Sequence, residues 1–134
     1  MKLRPATFED AGLLFAWRND DLTRAMSLST GEVSWADHES WLRGSLVNPD
    51  RKLLICENDN GPVGTVRIDE GTEVSWTVAP EHRRKGIGSQ MVSMASPDHA
   101  VAWIKAENEA SRRIAEKAGF VLASDGELQK WVRS

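Results

Sequence analysis

The chain has 134 residues, of which 40% are hydrophobic and 28% charged, and its formal net charge is −3 at pH 7. This length and balance predict one soluble domain over residues 1–134, and the negative charge argues against general affinity for nucleic acid. The N-terminus lacks the apolar core of a signal peptide, and no apolar run is long enough to cross a bilayer, so we expect a cytoplasmic protein without a membrane partner.

The first predicted elements are a short strand and a helix. Residues 2–5 fit an edge strand. Thr7, followed three residues later by Asp10, is typical of a helix cap. The apolar spacing that follows predicts a helix that ends near Asn19 or Asp20.

The next segment, residues 20–33, is polar and has no clear period, which favours a loop with at most one helical turn. Ser34 and Asp37 then repeat the capping pattern. Apolar residues at three-to-four spacing predict an amphipathic second helix, which Asn48 and Pro49 end.

Three short strands follow. Apolar runs at residues 53–56 and 63–68 flank a polar turn at 58–62, and a second turn at 70–71 leads into a third run at 73–78. Strands joined by such tight turns pair antiparallel. The sequence therefore predicts an antiparallel meander.

The last of these strands has two different faces. Val74, Trp76 and Val78 alternate with polar residues, so we expect their side chains in the core and Glu73 on the opposite face. Pro80 lacks a backbone N–H and ends the strand.

The rest of the chain alternates helices with strands. Asn108 suits a helix cap, and Gly119 suits the position just past the end of that helix. A strand-helix-strand crossover implies parallel pairing at the centre of the sheet. The predicted fold class is α/β (α+β), with a mixed, mainly antiparallel sheet and helices on both faces. The elements are a helix over residues 88–95, a strand over 101–104, a helix over 108–118, and strands over 120–122 and 128–132.

A basic loop with two glycines, residues 83–88, connects the meander to the next helix. Gly86 and Gly88 lack a β-carbon where the helix begins, so its free N–H groups can approach an anion, and the preceding basic residues add positive charge. The pattern therefore indicates a pyrophosphate site, with a solvated basic turn as the alternative.

Two other glycine-loop chemistries do not fit. In a Walker loop a lysine follows the second glycine, whereas Lys85 precedes its glycine. A dinucleotide fingerprint needs a third glycine where Met91 stands, and it should open the first strand-helix-strand unit.

Metal and disulfide chemistry are not indicated. Cys56 is the only cysteine, and it lies in an apolar run typical of a core. His38, His82 and His99 have no metal-ligand spacing with one another or with carboxylates.

Two motifs resemble the GNAT N-acetyltransferase superfamily. Residues 83–88, Arg-Arg-Lys-Gly-Ile-Gly, resemble its acyl-CoA pyrophosphate motif after the fourth strand. Residues 108–120, which begin with Asn and end in Lys-Ala-Gly-Phe, are similar to its second motif. The resemblance covers nearly the whole chain. It implies parallel central strands that splay apart, and direct transfer of an acetyl group from acetyl-CoA to a primary amine in a ternary complex.

The resemblance also implies contacts with acetyl-CoA from the edge of a strand, the basic loop and the start of the last helix. A backbone N–H near Val78 is the expected donor to the developing oxyanion. Asn108 would cap its helix on either interpretation. The expected cofactor-binding residues are Thr77, Val78, Ala79, Arg83, Arg84, Lys85, Gly86, Ile87, Gly88, Ser89, Asn108 and Ser111.

Glu73 is the expected general base, because it lies a few residues before the cofactor edge; its alternative role is that of a surface cross-strand partner. Glu107 is the reserve, and His82 is a weaker candidate. The tyrosine that many relatives use as an acid falls at Ala115, and the chain has no tyrosine. Ser111, which can orient a water, is the remaining catalytic candidate.

The expected acceptor-binding residues are Trp17, Arg18, Asn19 and His38. Together with Asp20, Trp35, Trp41 and the break at residues 48–50, they resemble the branch that acetylates an amino-sugar nucleotide in pseudaminic-acid synthesis, which implies a small-molecule amine as partner. A related branch acetylates the N-terminal amines of ribosomal proteins, and a non-catalytic coenzyme A binding module is a third possibility. For the tryptophans, the core is the alternative. The sequence is compatible with a homodimer.

Overall fold

The computed structural model describes residues 1–134 and contains seven β-strands and five α-helices. The strands are β1 (Lys2–Pro5), β2 (Arg51–Asn58), β3 (Gly61–Asp69), β4 (Glu73–Val78), β5 (Val101–Lys105), β6 (Val121–Ser124) and β7 (Leu128–Val132). The helices are α1 (Ala11–Arg18), α2 (Asp21–Met26), α3 (Trp35–Val47), α4 (Ile87–Ala95) and α5 (Glu109–Lys117). No helix has both the length and the apolar character needed to cross a membrane.

All the strands form one mixed sheet in the order β1-β2-β3-β4-β5-β7-β6. Neighbouring strands are antiparallel except β4 and β5, which are parallel. Tight turns make β2 to β4 antiparallel, whereas α4 carries the chain back across the sheet, so that β5 runs in the same direction as β4. The predicted fold class is confirmed.

Two apolar clusters lie on opposite faces of the sheet. One packs α1 and α3 on β2, with Leu42 and Ile55 fully buried. The larger packs α4 and α5 on the central strands, with Val74 and Phe120 almost completely buried. Because side chains alternate along β4, Glu73 lies on the face that carries α1 to α3.

Side-chain caps begin two helices where the sequence predicted them. Ser34 accepts a hydrogen bond from the N–H of Asp37, and Asn108 accepts one from the N–H of Ser111, each at 3.2 Å. Gly119 follows α5 with a φ of 92°, a left-handed conformation that favours glycine.

The segment expected to be a loop, residues 20–33, contains α2. Asp20 caps this helix by accepting a hydrogen bond from the N–H of Thr23 at 3.1 Å. Asn19 holds the far end of the segment through two hydrogen bonds with the backbone of Val33, at 2.8 and 2.9 Å. Since α2 buries none of its residues, it has no apolar period that the sequence could reveal.

Asp10 stabilises the junction between β1 and α1. Its carboxylate accepts hydrogen bonds from the guanidinium of Arg4 at 2.8 and 2.9 Å and from the N–H of Thr7 at 2.8 Å. The hydrogen bond from Arg4 lowers the pKa of Asp10, although burial opposes this effect. We expect Asp10→Asn to lower the free energy of unfolding at pH 7 by about 1–3 kcal/mol, because Arg4 loses a charged acceptor.

The pH dependence follows from the lowered pKa. A carboxyl group of this kind contributes its stability above its unfolded pKa of about 3.9, and this contribution is lost as the pH falls through the folded value. Urea unfolding of the parent and the variant from pH 7 downward measures the difference. Asp21→Asn is the control, since the side chain of Asp21 is fully exposed. Equal stability of parent and Asp10→Asn at pH 7 would contradict the expectation.

Candidate active site

The strands β4 and β5 are paired at only one position. Glu73 and Val101 are in register, and the N–H of Val101 donates to the carbonyl of Thr72 at 2.8 Å. Backbone groups alternate sides along a strand, so those of Trp76 and Val78 point to the same side as the Thr72 carbonyl. Since no β5 residue is in register with them, a gap opens between the two strands towards their carboxyl ends.

The neighbouring residues of β4 have their backbone groups on the other side. Thr77 is in register with Thr65 of β3, and the N–H of Ala79 donates to the carbonyl of Val63 at 2.8 Å. Of the three strand residues expected to contact acetyl-CoA, only Val78 therefore has its backbone groups towards the gap. Thr77 contributes its side chain to the cavity described next.

A cavity of about 420 Å³ lies beside the gap. It is bordered by α1 to α3, by residues 27–33, by β5 and by the start of α5. A volume of this size is typical of a small-molecule site. Polar side chains from β3 and β4 line its floor: Thr65, Arg67, Asp69, Glu73, Ser75 and Thr77.

The start of α4 has the chemistry of an anion site. Gly86 precedes the helix with a φ of 75°, and no side chain caps it. The N–H groups of residues 87–89 lie in the first helical turn and have no acceptor within the chain. Arg84 and Lys85, both exposed, lie just before them. Free N–H groups and positive charge together can bind a phosphate.

Arg83 has partners within the protein. Its guanidinium donates to the carboxylate of Asp20 and to Oγ1 of Thr23, the latter at 3.1 Å. Burial raises the pKa of Asp20, but the hydrogen bonds from Arg83 and Thr23 outweigh this effect and lower it. Arg83 thus links the basic loop to α2, which borders the cavity.

The two glycine positions of the loop require glycine for different structural reasons. A β-carbon at Gly88 would lie 2.4 Å from Cδ1 of Ile114 and 3.2 Å from Cγ2 of Val78, whereas one at Gly86 would meet nothing within 4 Å. Gly86 is therefore required by its backbone conformation and Gly88 by the close packing of α4 on α5 and β4.

Glu73 is exposed and lines the cavity at the position where β4 and β5 are still paired. The reserve candidate, Glu107, is also exposed but does not line the cavity, and neither does His82. Of the three candidate bases, Glu73 alone borders the space in which an acceptor could lie.

Asn108 and Ser111 line the cavity from the start of α5. Ala115, the position to which the resemblance assigns the tyrosine, is fully buried in the larger apolar cluster and does not line the cavity. Ser111, about one turn earlier, carries the α5 hydroxyl that does reach it.

Trp17, Arg18 and His38 also line the cavity, whereas Asn19 does not. Trp17 is only 3% exposed and belongs to the smaller apolar cluster. The amide of Asn19 is occupied by the backbone of Val33, so it shapes the cavity indirectly, by holding residues 27–33.

His38 is fully buried and neutral. Its Nε2 donates to the carbonyl of Ala11 at 2.9 Å, and its Nδ1 has no partner. Burial lowers the pKa of His38, and the positive charge of Arg18 lowers it further. Three aromatic rings surround it, those of Phe15, Trp35 and Trp41.

Arg18 lies over Trp41, with its guanidinium carbon 4.7 Å from the ring centroid. One guanidinium nitrogen, Nη1, is buried without a hydrogen-bond partner. Burial lowers the pKa of Arg18, and the nearby charge of Arg67 adds to the effect.

The sequence did not predict that Asp69, on the floor of the cavity, pairs with two arginines. Asp69 accepts hydrogen bonds from Nε of Arg51 at 2.7 Å and from Nε of Arg67 at 3.0 Å. Arg51 also donates to Oγ of Ser45 at 2.9 Å. Alternating polar residues in β3 indicate which face they share, but the pairing of Arg51 with Asp69 depends on the strand register.

Known structures of the same fold include several acetyltransferases. Spermidine N-acetyltransferase from Vibrio cholerae, solved with CoA and spermine, superposes with a TM-score of 0.83 at 17% identity, over 98% of this chain and 91% of that chain. The aminoglycoside acetyltransferase AAC(6')-Ib, solved with paromomycin and acetyl-CoA, gives a TM-score of 0.83 at 18% identity, over 99% and 92%. A domain from Methanocaldococcus jannaschii DSM 2661 gives 0.81 at 23% identity, over 98% and 96%.

At such low sequence identity, these superpositions establish a shared fold and nothing further. No curated protein sequence matches the chain significantly. The family model of the acetyltransferase (GNAT) domain, however, matches residues 1–121, which is most of the chain. The superfamily that the two motifs resemble is thereby confirmed. The protein belongs to the GNAT acetyltransferase family.

Proposed function

We propose that the protein transfers an acetyl group from acetyl-CoA to the primary amine of a small molecule, by direct attack in a ternary complex. The observation that carries this proposal is the gap between β4 and β5, which has the cavity beside it and lies at the end of β4 that leads to α4. Acetyl-CoA, when bound, supplies an acetyl thioester that an uncharged amine can attack.

The residues present fit such a ligand. The free N–H groups of residues 87–89, with Arg84 and Lys85, supply the donors and charge that a pyrophosphate needs. The backbone groups of Val78 can pair with an extended amide chain as an added strand would. Asn108 and Ser111 add polar atoms from α5.

Glu73 is the proposed general base. Its position at the cavity allows it to take a proton from the ammonium group of the acceptor, directly or through a water, so that the amine is uncharged when it reacts. Ser111 is proposed to orient that water. Both roles need only side chains that already border the cavity.

For the acceptor, we propose an amino-sugar nucleotide, the substrate of the branch that residues 17–20, the aromatic residues of α3 and the break at 48–50 resemble, with a protein N-terminal amine as the second candidate. The half-buried ring of Trp41 at the cavity favours stacking on a sugar or base. Spermine and paromomycin, bound in the similar structures, favour a small molecule over a protein N-terminus. A homodimer stays a prediction, which sedimentation velocity would test.

Thermal unfolding and thiol release test the proposal together. We expect acetyl-CoA to raise the melting temperature and an amino-sugar nucleotide to cause release of coenzyme A thiol. No shift with acetyl-CoA would refute the cofactor assignment. A shift without thiol release across amino-sugar nucleotides, N-terminal peptides and polyamines would favour a non-catalytic binding module. Release with peptides alone would identify the second candidate.

The basic residues of the loop should respond differently to substitution. Lys85→Gln should raise the dissociation constant of acetyl-CoA roughly three- to tenfold through loss of a charged donor, with little change in stability because Lys85 is exposed. Arg83→Gln should lower the free energy of unfolding, since Asp20 and Thr23 lose their partner. Calorimetric titration and thermal unfolding of both variants measure the two effects. Parent-like affinity in Lys85→Gln would contradict the role given to the loop.

A further inference from the structure

The guanidinium of Arg18 lines the cavity without an anionic partner. It stacks on Trp41, and its Nη1 is buried without a hydrogen bond. Taking a cation out of water is costly unless a negative charge lies beside it. The free protein therefore holds a charge that a bound anion could neutralise.

The carboxylates that line the cavity, those of Asp69 and Glu73, form no ion pair with Arg18. Asp69 accepts from Arg51 at one oxygen and from Arg67 at the other. Arg67, although paired with Asp69, is close enough for its charge to lower the pKa of Arg18. Glu73 forms no ion pair.

The charges around the cavity favour one class of acceptor. Two guanidinium groups, those of Arg18 and Arg67, and two carboxylates, those of Asp69 and Glu73, line the cavity, and the ion pairs of Asp69 with Arg51 and Arg67 leave Arg18 and Glu73 without a partner. A polycationic acceptor would add positive charge and leave Arg18 unpaired. An acceptor that carries both an amine and an anion would satisfy Glu73 and Arg18 at once.

The strand register limits the distance between Glu73 and Arg18. Arg67 is opposite Ser75, and Glu73 is the next residue of β4 on the same face. Glu73 is therefore a diagonal neighbour of Arg67, at roughly 7–8 Å. Since Arg18 lies near Arg67, the amine and the anion would belong to one small molecule or to one end of a larger one.

We propose, resting on the function proposed above, that Arg18 is an anion-binding residue of the acceptor site and that the acceptor is an amine with a carboxylate or phosphate group. The anion accepts hydrogen bonds from the guanidinium, which Trp41 holds in place, and the amine lies towards Glu73. Linear polyamines and aminoglycosides, which lack an anion, are poor acceptors.

Matched pairs of probes test this directly. One pair is an amino acid and its carboxamide, and the other is an amino-sugar phosphate and the free amino sugar, with spermidine as a polycation. Dissociation constants are measured by calorimetry on the full chain saturated with coenzyme A. In at least one pair, the anionic member should bind about tenfold or more tightly than its neutral counterpart, and the responding pair identifies carboxylate or phosphate.

Equal binding within both pairs, or tightest binding of spermidine, would overturn this inference even if acetylation occurs. Failure of the proposed function looks different: acetyl-CoA would then produce no thermal shift, or no amine would release thiol. The two ideas can therefore fail separately.

Substitution of Arg18 distinguishes binding from a structural role. Arg18→Met keeps an unbranched apolar side chain but removes the guanidinium and its charge, so the difference within the responding pair should disappear. The free variant should be at least as stable as the parent, because a half-buried charge without an ion-pair partner is removed. Arg18→Lys, which retains the charge, should keep part of the difference, and it provides the test if Arg18→Met does not fold.

Arg24→Gln is the control. Arg24 donates to the carbonyl of Thr30 at 3.3 Å and does not line the cavity, so its substitution should leave the pair difference unchanged. An Arg18→Met protein that keeps the full difference in affinity between the anionic and neutral probes, whatever its stability, would overturn the proposal.

Discussion

Glu73→Gln should lower kcat by roughly 10²- to 10⁴-fold, the range that a positioned general base contributes. Glutamine preserves the shape of the side chain but cannot take a proton from the acceptor. Acetyl-CoA should bind as it does to the parent, because Glu73 begins β4 whereas the proposed phosphate site follows the other end of that strand. Thiol release at saturating acceptor measures kcat, and calorimetric titration measures the affinity.

The control for Glu73→Gln is Glu107→Gln, since Glu107 carries the same group near β5 but lies outside the cavity. Parent-like turnover in Glu73→Gln would remove Glu73 from the mechanism. Selective loss of turnover in Glu107→Gln would transfer the role to the reserve candidate.

Gly88→Ala should lower the free energy of unfolding by about 1–3 kcal/mol, because the new β-carbon would lie 2.4 Å from Cδ1 and 2.9 Å from Cγ1 of Ile114. Helix propensity alone predicts the opposite sign, since alanine in a helix is favoured over glycine by about 1 kcal/mol. Ile114 would have to move, and α4 would shift relative to α5. Weaker binding of acetyl-CoA should accompany the loss of stability.

Gly44→Ala is the matched control for packing. Gly44 also lies within a helix, α3, but a β-carbon there would meet nothing within 4 Å. Gly44→Ala should leave stability unchanged or raise it by up to about 1 kcal/mol. Urea unfolding of both variants measures the contrast. If both variants gained stability, the close packing at Gly88 would not limit the fold.

Local signals predicted most of the elements. The caps at Ser34 and Asn108 and the left-handed glycine at Gly119 depend on residues within one helical turn, and the structure shows each of them. The alternation along β4 likewise predicted that Val74 enters the core. The helix α2 was expected as no more than a turn, because it buries nothing and is held by Asp20, Arg83 and Asn19 across the fold.

The description of the candidate site depended on the tertiary structure more than the assignment of helices and strands did. The resemblance to the family indicated Arg18, His38, Glu73, Asn108 and Ser111, and all of them border the cavity. The sequence did not indicate whether Arg18 has an ion-pair partner or whether the ring of His38 carries a charge. The missing partner of Arg18 and the neutral ring of His38 are consequences of burial among side chains from α1, α3 and the sheet.

The sequence by itself determined the elements other than α2, the faces of the strands and the crossover between β4 and β5, because periodicity, capping and loop length act over a few residues. The three-dimensional contacts alone decided which arginines are paired, why Gly88 lacks a side chain and which glutamate borders the cavity. Those properties depend on register and on distances between residues far apart in the chain. Arg83 and Asp20 are one example, and Gly88 and Ile114 are another.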